Sequence, residues 1–114
     1  MDFVHTPNTS ISTATTTVTF AADERCTQMV TVTADLGIAI VCNNSTDNYL
    51  WVRNSHATDA ADITISGITY NGSPIASADI HIAGGTMTVE AGKILEIGIV
   101  CNADGAFLTS RNDL

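Results

Sequence analysis

The sequence predicts an all-β protein that folds as a single β-sandwich of eight or nine short antiparallel strands. Three observations support this prediction. Thr, Ile and Val occur 17, 12 and 8 times among 114 residues, and these β-branched residues favour pleated strands over helices. No segment repeats apolar residues at helical spacing, whereas short alternating segments separated by turn residues recur along the chain. The length fits one domain, and the pattern leaves an immunoglobulin-like sandwich and a jelly roll equally open.

Residues 86–102 (TMTVEAGKILEIGIVCN) are predicted to be the centre of the fold. We expect them to form two strands of a hairpin joined by a tight turn at residues 91–92. The second strand is the longest nearly uninterrupted apolar segment, so we expect it in the middle of a sheet with one face buried. That buried face should carry Leu95, Ile97, Ile99 and Cys101, because strand side chains alternate.

The same alternation assigns inward faces to the other strands. Residues 1–11 are polar and irregular and are expected to form an extended arm, with residues 12–114 forming the sandwich. For residues 49–54 the pattern does not decide which parity faces the core. Elsewhere the expected inward residues are Val18, Phe20, Val30, Val32, Ile38, Ile40, Cys42, Ile63, Ile65, Ile68, Tyr70, Ile80 and Ile82.

Two local signals are specific. Ile63 and Ile65 share one parity and Ile68 and Tyr70 the other, and a β-bulge at residues 66–67 would produce that change. The dipeptide at residues 71–72, Asn-Gly, is the strongest hairpin-turn signal in the chain, since a type I′ turn needs positive φ at both central residues.

Charge and composition favour protein partners over other ligands. The net charge of −8 opposes contact with nucleic acid or anionic membranes, and the sequence shows neither a signal peptide nor an apolar span. We therefore expect synthesis in a host cytoplasm. Cys26, Cys42 and Cys101 lack metal-binding spacing, and Cys42 and Cys101 are expected to be small apolar core residues rather than a disulfide.

No catalytic constellation is visible in the sequence. His5, His56 and His81 have neither a second ligand at metal spacing nor a neighbouring nucleophile motif, so exposed or structural roles are the favoured interpretation. Asp59 and Asp62 share a loop but no calcium-binding ladder accompanies them. We expect no enzyme activity, no metal and no cofactor.

Two groups of residues are candidates for partner contact. Phe3, Val4 and His5 would place an apolar pair in the arm, where it could reach a neighbouring subunit. Tyr49 and Trp51 lie beside the polar loop at residues 43–48 and could contact a protein or stack on a sugar. The alternative for this pair is that one side chain packs in the core and the other at an interface rim.

Three stretches of the sequence resemble segments of bacteriophage head-decoration (cement) proteins and of the tip domains of head and tail fibres. They are TTTVTF near the start, VRN with its loop and ITISGITYNG, and VEAGKILEIGI near the end. The resemblance implies a non-enzymatic virion protein that stabilises a capsid by contacting the major capsid or another virion protein. It also implies a homo-oligomer or many copies on a lattice. The alternative is a carbohydrate-binding or adhesin-like module, such as a fibre tip.

Overall fold

The computed structural model of the chain describes residues 3–4, 9–11, 15–20, 26–84 and 87–112. Within these ranges the regular structure is twelve strands and one short 3-10 helix (Ser77–Asp79) between β8 and β9. No helix in the described part of the chain is long and apolar enough to cross a membrane. The strands are β1 (Phe3–Val4), β2 (Thr9–Ile11), β3 (Thr15–Phe20), β4 (Cys26–Val32), β5 (Leu36–Cys42), β6 (Asn48–Asn54), β7 (Ala61–Tyr70), β8 (Ser73–Pro74), β9 (Ile80–Gly84), β10 (Thr88–Val89), β11 (Ile94–Asn102) and β12 (Gly105–Arg111).

The strands form two sheets, which confirms the all-β prediction. Sheet A has the order β1-β4-β6-β11-β12-β9, with β2 also paired to β4. Sheet B has the order β10-β7-β5-β3, with β8 also paired to β7. From β3 to β7 consecutive strands alternate between the sheets, so the chain winds as a coil that resembles a β-solenoid.

This winding overturns the predicted antiparallel arrangement. Six of the ten pairings between described strands are parallel, whereas the immunoglobulin-like and jelly-roll alternatives are both antiparallel. Thr15 pairs with Gly37 in sheet B and Thr27 pairs with Tyr49 in sheet A, so the sequence separation between partners is the same in both sheets. A strand that returns to its own sheet after a full winding runs parallel to its predecessor, and the local pattern does not record that direction.

The bulge and the Asn-Gly turn are both where the sequence predicts them. The register between β5 and β7 passes from Ile38↔Ile65 to Ala39↔Gly67, so Ser66 is the extra residue of the bulge. Asn71 and Gly72 have φ values of 49° and 83°, as a type I′ turn requires, and they join the antiparallel strands β7 and β8.

The predicted central hairpin at residues 86–102 is only partly right. A turn does form before β11, where the Lys93 backbone N–H donates to the Glu90 carbonyl at 3.0 Å. However, β10 pairs with β7 in sheet B, whereas β11 pairs with β6 and β12 in sheet A. The turn therefore carries the chain from one sheet to the other. The prediction that β11 lies in the middle of a sheet is confirmed.

The core lies between the sheets and matches most of the predicted inward faces. Leu95, Ile97, Ile99 and Cys101 of β11 are buried, as are the predicted residues of β3, β4 and β5. In β7, Ile63 and Ile68 are buried and Ile65 and Tyr70 half-buried. The inward prediction for Ile82 is wrong, because this residue of the edge strand β9 is 50% exposed.

Cys42 and Cys101 reach the core from opposite sheets, which confirms their predicted placement. Both are free thiols with no exposed surface, and the two side chains are hydrogen-bonded to each other. The contact therefore joins the end of β5 in sheet B to the end of β11 in sheet A.

Buried asparagines hold the loops that connect the sheets. Asn54 has no exposed surface, and its Nδ2 donates to the carbonyls of Asp59 at 2.8 Å and Val89 at 3.0 Å. Its Oδ1 accepts the His56 backbone N–H at 2.9 Å. In the loop before β6, Asn44 Oδ1 accepts the Thr46 backbone N–H at 3.0 Å, and Asn48 Nδ2 donates to the Thr46 carbonyl at 3.3 Å. These amides supply the partners that the loop backbones would otherwise lack.

Two segments of the predicted arm are strands at the edge of sheet A. The backbone of β1 runs parallel to β4, with Phe3 opposite Cys26 and Val4 opposite Thr27. The backbone of β2 also runs parallel to β4, with Thr9 opposite Val30. The predicted separation of an arm from a sandwich domain stays a prediction.

Candidate partner-binding surface

The orientation of β6, which the sequence left open, is clear in the structure. Leu50 and Val52 are fully buried and point into the core. Tyr49 and Trp51 therefore point outward from sheet A, and Tyr49 is 38% exposed while Trp51 is half-buried. The alternative in which one of the two aromatic residues packs in the core is wrong.

A carboxylate holds Trp51 in place on this face. Glu96 lies opposite Trp51 on β6 and opposite Arg111 on β12. The indole Nε1 donates to Glu96 Oε2 at 2.9 Å, and Arg111 Nη1 lies 3.6 Å from Glu96 Oε1. The indole N–H is therefore already used within the protein, and the ring presents an oriented surface.

Tyr49 and Phe107 line a shallow cleft on the same face. Its volume is about 220 Å³, and Gly98 lies at its floor. A Cβ on Gly98 would lie 2.9 Å from Thr109 Oγ1 and 3.5 Å from Tyr49 Cε1, so a side chain there would fill the floor. We call the outer surface that carries Tyr49, Trp51 and Phe107 the aromatic face.

Phe107 is the main contributor that the sequence analysis missed. It is 45% exposed and stacks on His81, with ring centroids 5.2 Å apart and an interplanar angle of 15°. The sequence contains one signal for the position of Phe107. Side chains alternate along β12, so an inward-facing Leu108 places Phe107 on the outer side of the sheet. Its position beside the tyrosine needed the strand order β6-β11-β12, which the sequence does not record.

The predicted contact residues of the arm are only partly placed. The backbone row Val4↔Thr27↔Tyr49 puts the second residue of β1 two strands away from the aromatic face. Phe3 lies beside Val4 on the same edge strand. His5 lies outside the described residues. The structure thus brings Tyr49 and Trp51 together and places the backbone of Phe3 and Val4 on the same sheet.

The described histidines make contacts within the protein. His56 Nδ1 accepts the backbone N–H groups of Thr58 at 3.1 Å and Asp59 at 2.9 Å, so this ring stabilises its own loop. His81 is exposed, as predicted, and its ring packs on Phe107. Within the described ranges, no group of three or more His, Cys, Asp or Glu side chains is placed to hold a metal ion.

A second, larger cleft lies at one end of the molecule. Its volume is about 530 Å³, and Tyr70, Pro74 and Ile75 line it together with the turn between β11 and β12. Asp79 and Asp104 also line this cleft, and both are exposed. The aromatic face differs from it in presenting exposed aromatic rings on a paired sheet, the surface chemistry that protein interfaces favour.

Comparison with known proteins gives no relative: no family model, no curated protein and no solved structure matches this chain.

Proposed function

We propose that this chain is a non-enzymatic structural virion protein that decorates or cements a viral or phage capsid through protein–protein contacts. The observation that carries the proposal is the aromatic face. Tyr49 and Phe107 keep more than a third of their surface exposed on strands that are paired on both sides. Aromatic residues are enriched at interface hot spots, and rings on a paired sheet lose little conformational entropy on binding.

The charge of the chain supports a protein partner. Twelve acidic residues against four Lys and Arg give a surface that repels nucleic acid and attracts basic protein surfaces. The proposed partner is the major capsid protein or another virion protein, with many copies on the lattice. Phe3, Val4 and His5 remain predicted contact residues. Synthesis in the host cytoplasm followed by attachment to the virion is the corresponding localisation.

The test is co-sedimentation with heads of the source virus that lack this protein. A Phe107→Asp variant should bind at least about thirtyfold more weakly, the loss typical of a hot-spot residue. Because Phe107 is half-exposed, the variant should keep the melting temperature of the wild type. Thr64→Asp is the matched control, since it adds the same charge at an exposed position on sheet B. Equal binding of the two variants would contradict the proposal.

A carbohydrate-binding or adhesin-like role is the second candidate, and the cleft between Tyr49 and Phe107 favours it. An aromatic wall on either side of a glycine floor fits the apolar face of a sugar ring. Trp51 is less suited to stacking than the sequence suggests, because it is half-buried and its N–H is bonded to Glu96. Glycan-array binding that disappears in Tyr49→Ala would favour this role over capsid attachment.

A further inference from the structure

Among the residues that the structure describes, strand β3 is the last strand of sheet B and pairs only with β5. The Phe20 carbonyl accepts the Asn43 backbone N–H at 3.1 Å and so faces β5. The Thr19 carbonyl accepts Gln28 Nε2 at 3.2 Å and so faces the other way. Because backbone groups alternate sides along a strand, those of Thr15 and Thr17 also point to the open edge.

Apart from the Gln28 amide at the Thr19 carbonyl, this edge lacks the features that normally prevent strands from pairing with other chains. Natural edge strands are blunted by charged side chains, proline or bulges. Strand β3 (TTTVTF) has none of these, and its register with β5 is continuous. Residues 6–22 contain no Asp, Glu, Lys, Arg or His, so the net charge of −8 arises elsewhere. A second copy could therefore approach this edge without direct charge repulsion.

We propose that β3 pairs antiparallel with β3 of a second copy of the chain, so that sheet B continues across a two-fold axis. Antiparallel pairing of identical strands is self-complementary, as a closed dimer requires. With Thr17 at the axis, the edge-facing groups of Thr15 meet those of Thr19 of the partner subunit, and the Thr19 carbonyl exchanges its exposed bond from Gln28 Nε2 for one across the axis. The exposed Thr17 side chain lies beside its counterpart in the second copy, and such a cross-strand threonine pair stabilises a sheet.

The proposed dimer uses a different surface from the aromatic face and does not depend on the capsid role. A dimer paired through β3 leaves Tyr49 and Phe107 on sheet A open to another partner. A negative result for dimerisation would therefore not contradict the capsid role, and a negative result for capsid binding would not contradict the dimer. Dimerisation would place two aromatic faces on one particle, which would strengthen attachment to a repeating lattice through multivalency.

The test is sedimentation of the full-length chain over a wide concentration range. The wild type should form a dimer, and Thr17→Pro should weaken dimerisation at least tenfold because it removes an N–H that faces the edge. Thr17→Pro should keep the wild-type melting temperature, whereas Thr16→Pro should lower it, since the Thr16 N–H faces β5. A wild type that is monomeric throughout, or a Thr17→Pro variant that dimerises normally, would overturn the proposal.

A second pair of variants keeps the backbone unchanged in case proline prevents folding. Thr17→Lys places two like charges next to each other at the two-fold axis, so dimerisation should weaken and recover as salt is added. Thr64→Lys adds the same charge at an exposed position of β7 and should leave the dimer intact. Equal dimerisation of both variants would also refute pairing through β3.

Discussion

In the coil of β3 to β7 each strand pairs with a strand one full winding away along the chain, whereas β11 and β12 pair across the short turn between Asn102 and Gly105. The loops of the coil have backbone groups that no strand pairs, and the side chains of buried Asn44, Asn48 and Asn54 hydrogen-bond to them. The hairpin turn needs only one side-chain bond, from the Asp104 N–H to Asn102 Oδ1 at 2.8 Å.

The coil and the β11–β12 hairpin therefore contribute differently to stability and to binding. The coil depends on non-local contacts, and its stability rests on side chains that the solvent does not reach. The β11–β12 hairpin forms locally and carries Phe107 and Gly98 of the cleft on its outward side. Substitutions of the buried asparagines at the loops of the coil should therefore affect folding. Substitutions at exposed positions of the hairpin should affect binding.

The largest loss of stability is expected at Asn54, the last residue of β6, where the chain leaves sheet A. Asn54→Leu keeps the side-chain size but leaves the His56 N–H and the carbonyls of Asp59 and Val89 without their partner. The bond to the Val89 carbonyl is buried and the other two are part-buried. An unpaired buried group costs about 1–3 kcal/mol, and with the part-buried groups at the lower end of that range the three together should cost about 3–5 kcal/mol. Urea denaturation measures it. Asn102→Ala in the hairpin is the control and should cost about 1 kcal/mol, because its bond is exposed. Similar losses for the two variants would remove the distinction between the regions.

A smaller effect is expected where the hairpin meets the segment before β9. Gly105 has a φ of 152°, and a Cβ there would lie 2.5 Å from the Asp79 carbonyl oxygen. Gly105→Ala should therefore cost about 3 kcal/mol from backbone strain and the steric clash. Gly72→Ala also has a positive φ but open space around it, so it should cost only about 1 kcal/mol. Thermal unfolding of both variants compares them, and equal losses would show that the clash is relieved freely.

The smallest effect concerns the thiols that join the two regions. The hydrogen bond with Cys42, together with burial, raises the pKa of Cys101 well above its ordinary value of 9.0. Above pH 9 the unfolded thiol loses its proton while the folded one keeps it, so stability should fall as pH rises. The fall should approach about 1.4 kcal/mol per pH unit, the slope for one thiol, and be smaller in Cys101→Ala, where only the buried Cys42 thiol remains. Parallel pH profiles of the two proteins would show that Cys101 does not contribute.

Local features of the fold were predictable from sequence because they depend on neighbouring residues. Alternation alone placed the buried face of β11, and the parity change in β7 identified the bulge at Ser66. Asn71-Gly72 was recognisable because few residues tolerate positive φ. Ile82 broke the rule, because alternation predicts a side of the sheet and does not show whether that side is covered at the edge strand β9.

Strand direction and strand order were not predictable, because parallel and antiparallel neighbours need the same apolar pattern. Each side of the turn at residues 91–92 alternates as a hairpin strand would, yet β10 and β11 belong to different sheets. The candidate site shows the same limit. Tyr49 and Trp51 could be named from sequence, but Phe107 joins them only through the order β6-β11-β12.

The first winding of the coil spans the same number of residues in both sheets, and this limits how the chain can gain or lose residues. An insertion as long as the stretch from Thr15 to Gly37, placed at a loop of the coil, would add one winding and preserve the register of each sheet. An insertion of a single residue within a strand would reverse every inward side chain beyond it. The next return, from Leu36 to Ile63, is longer than the first two, so a longer loop can absorb the difference. Lineages of this fold should therefore differ by whole windings or by loop length, and rarely within strands.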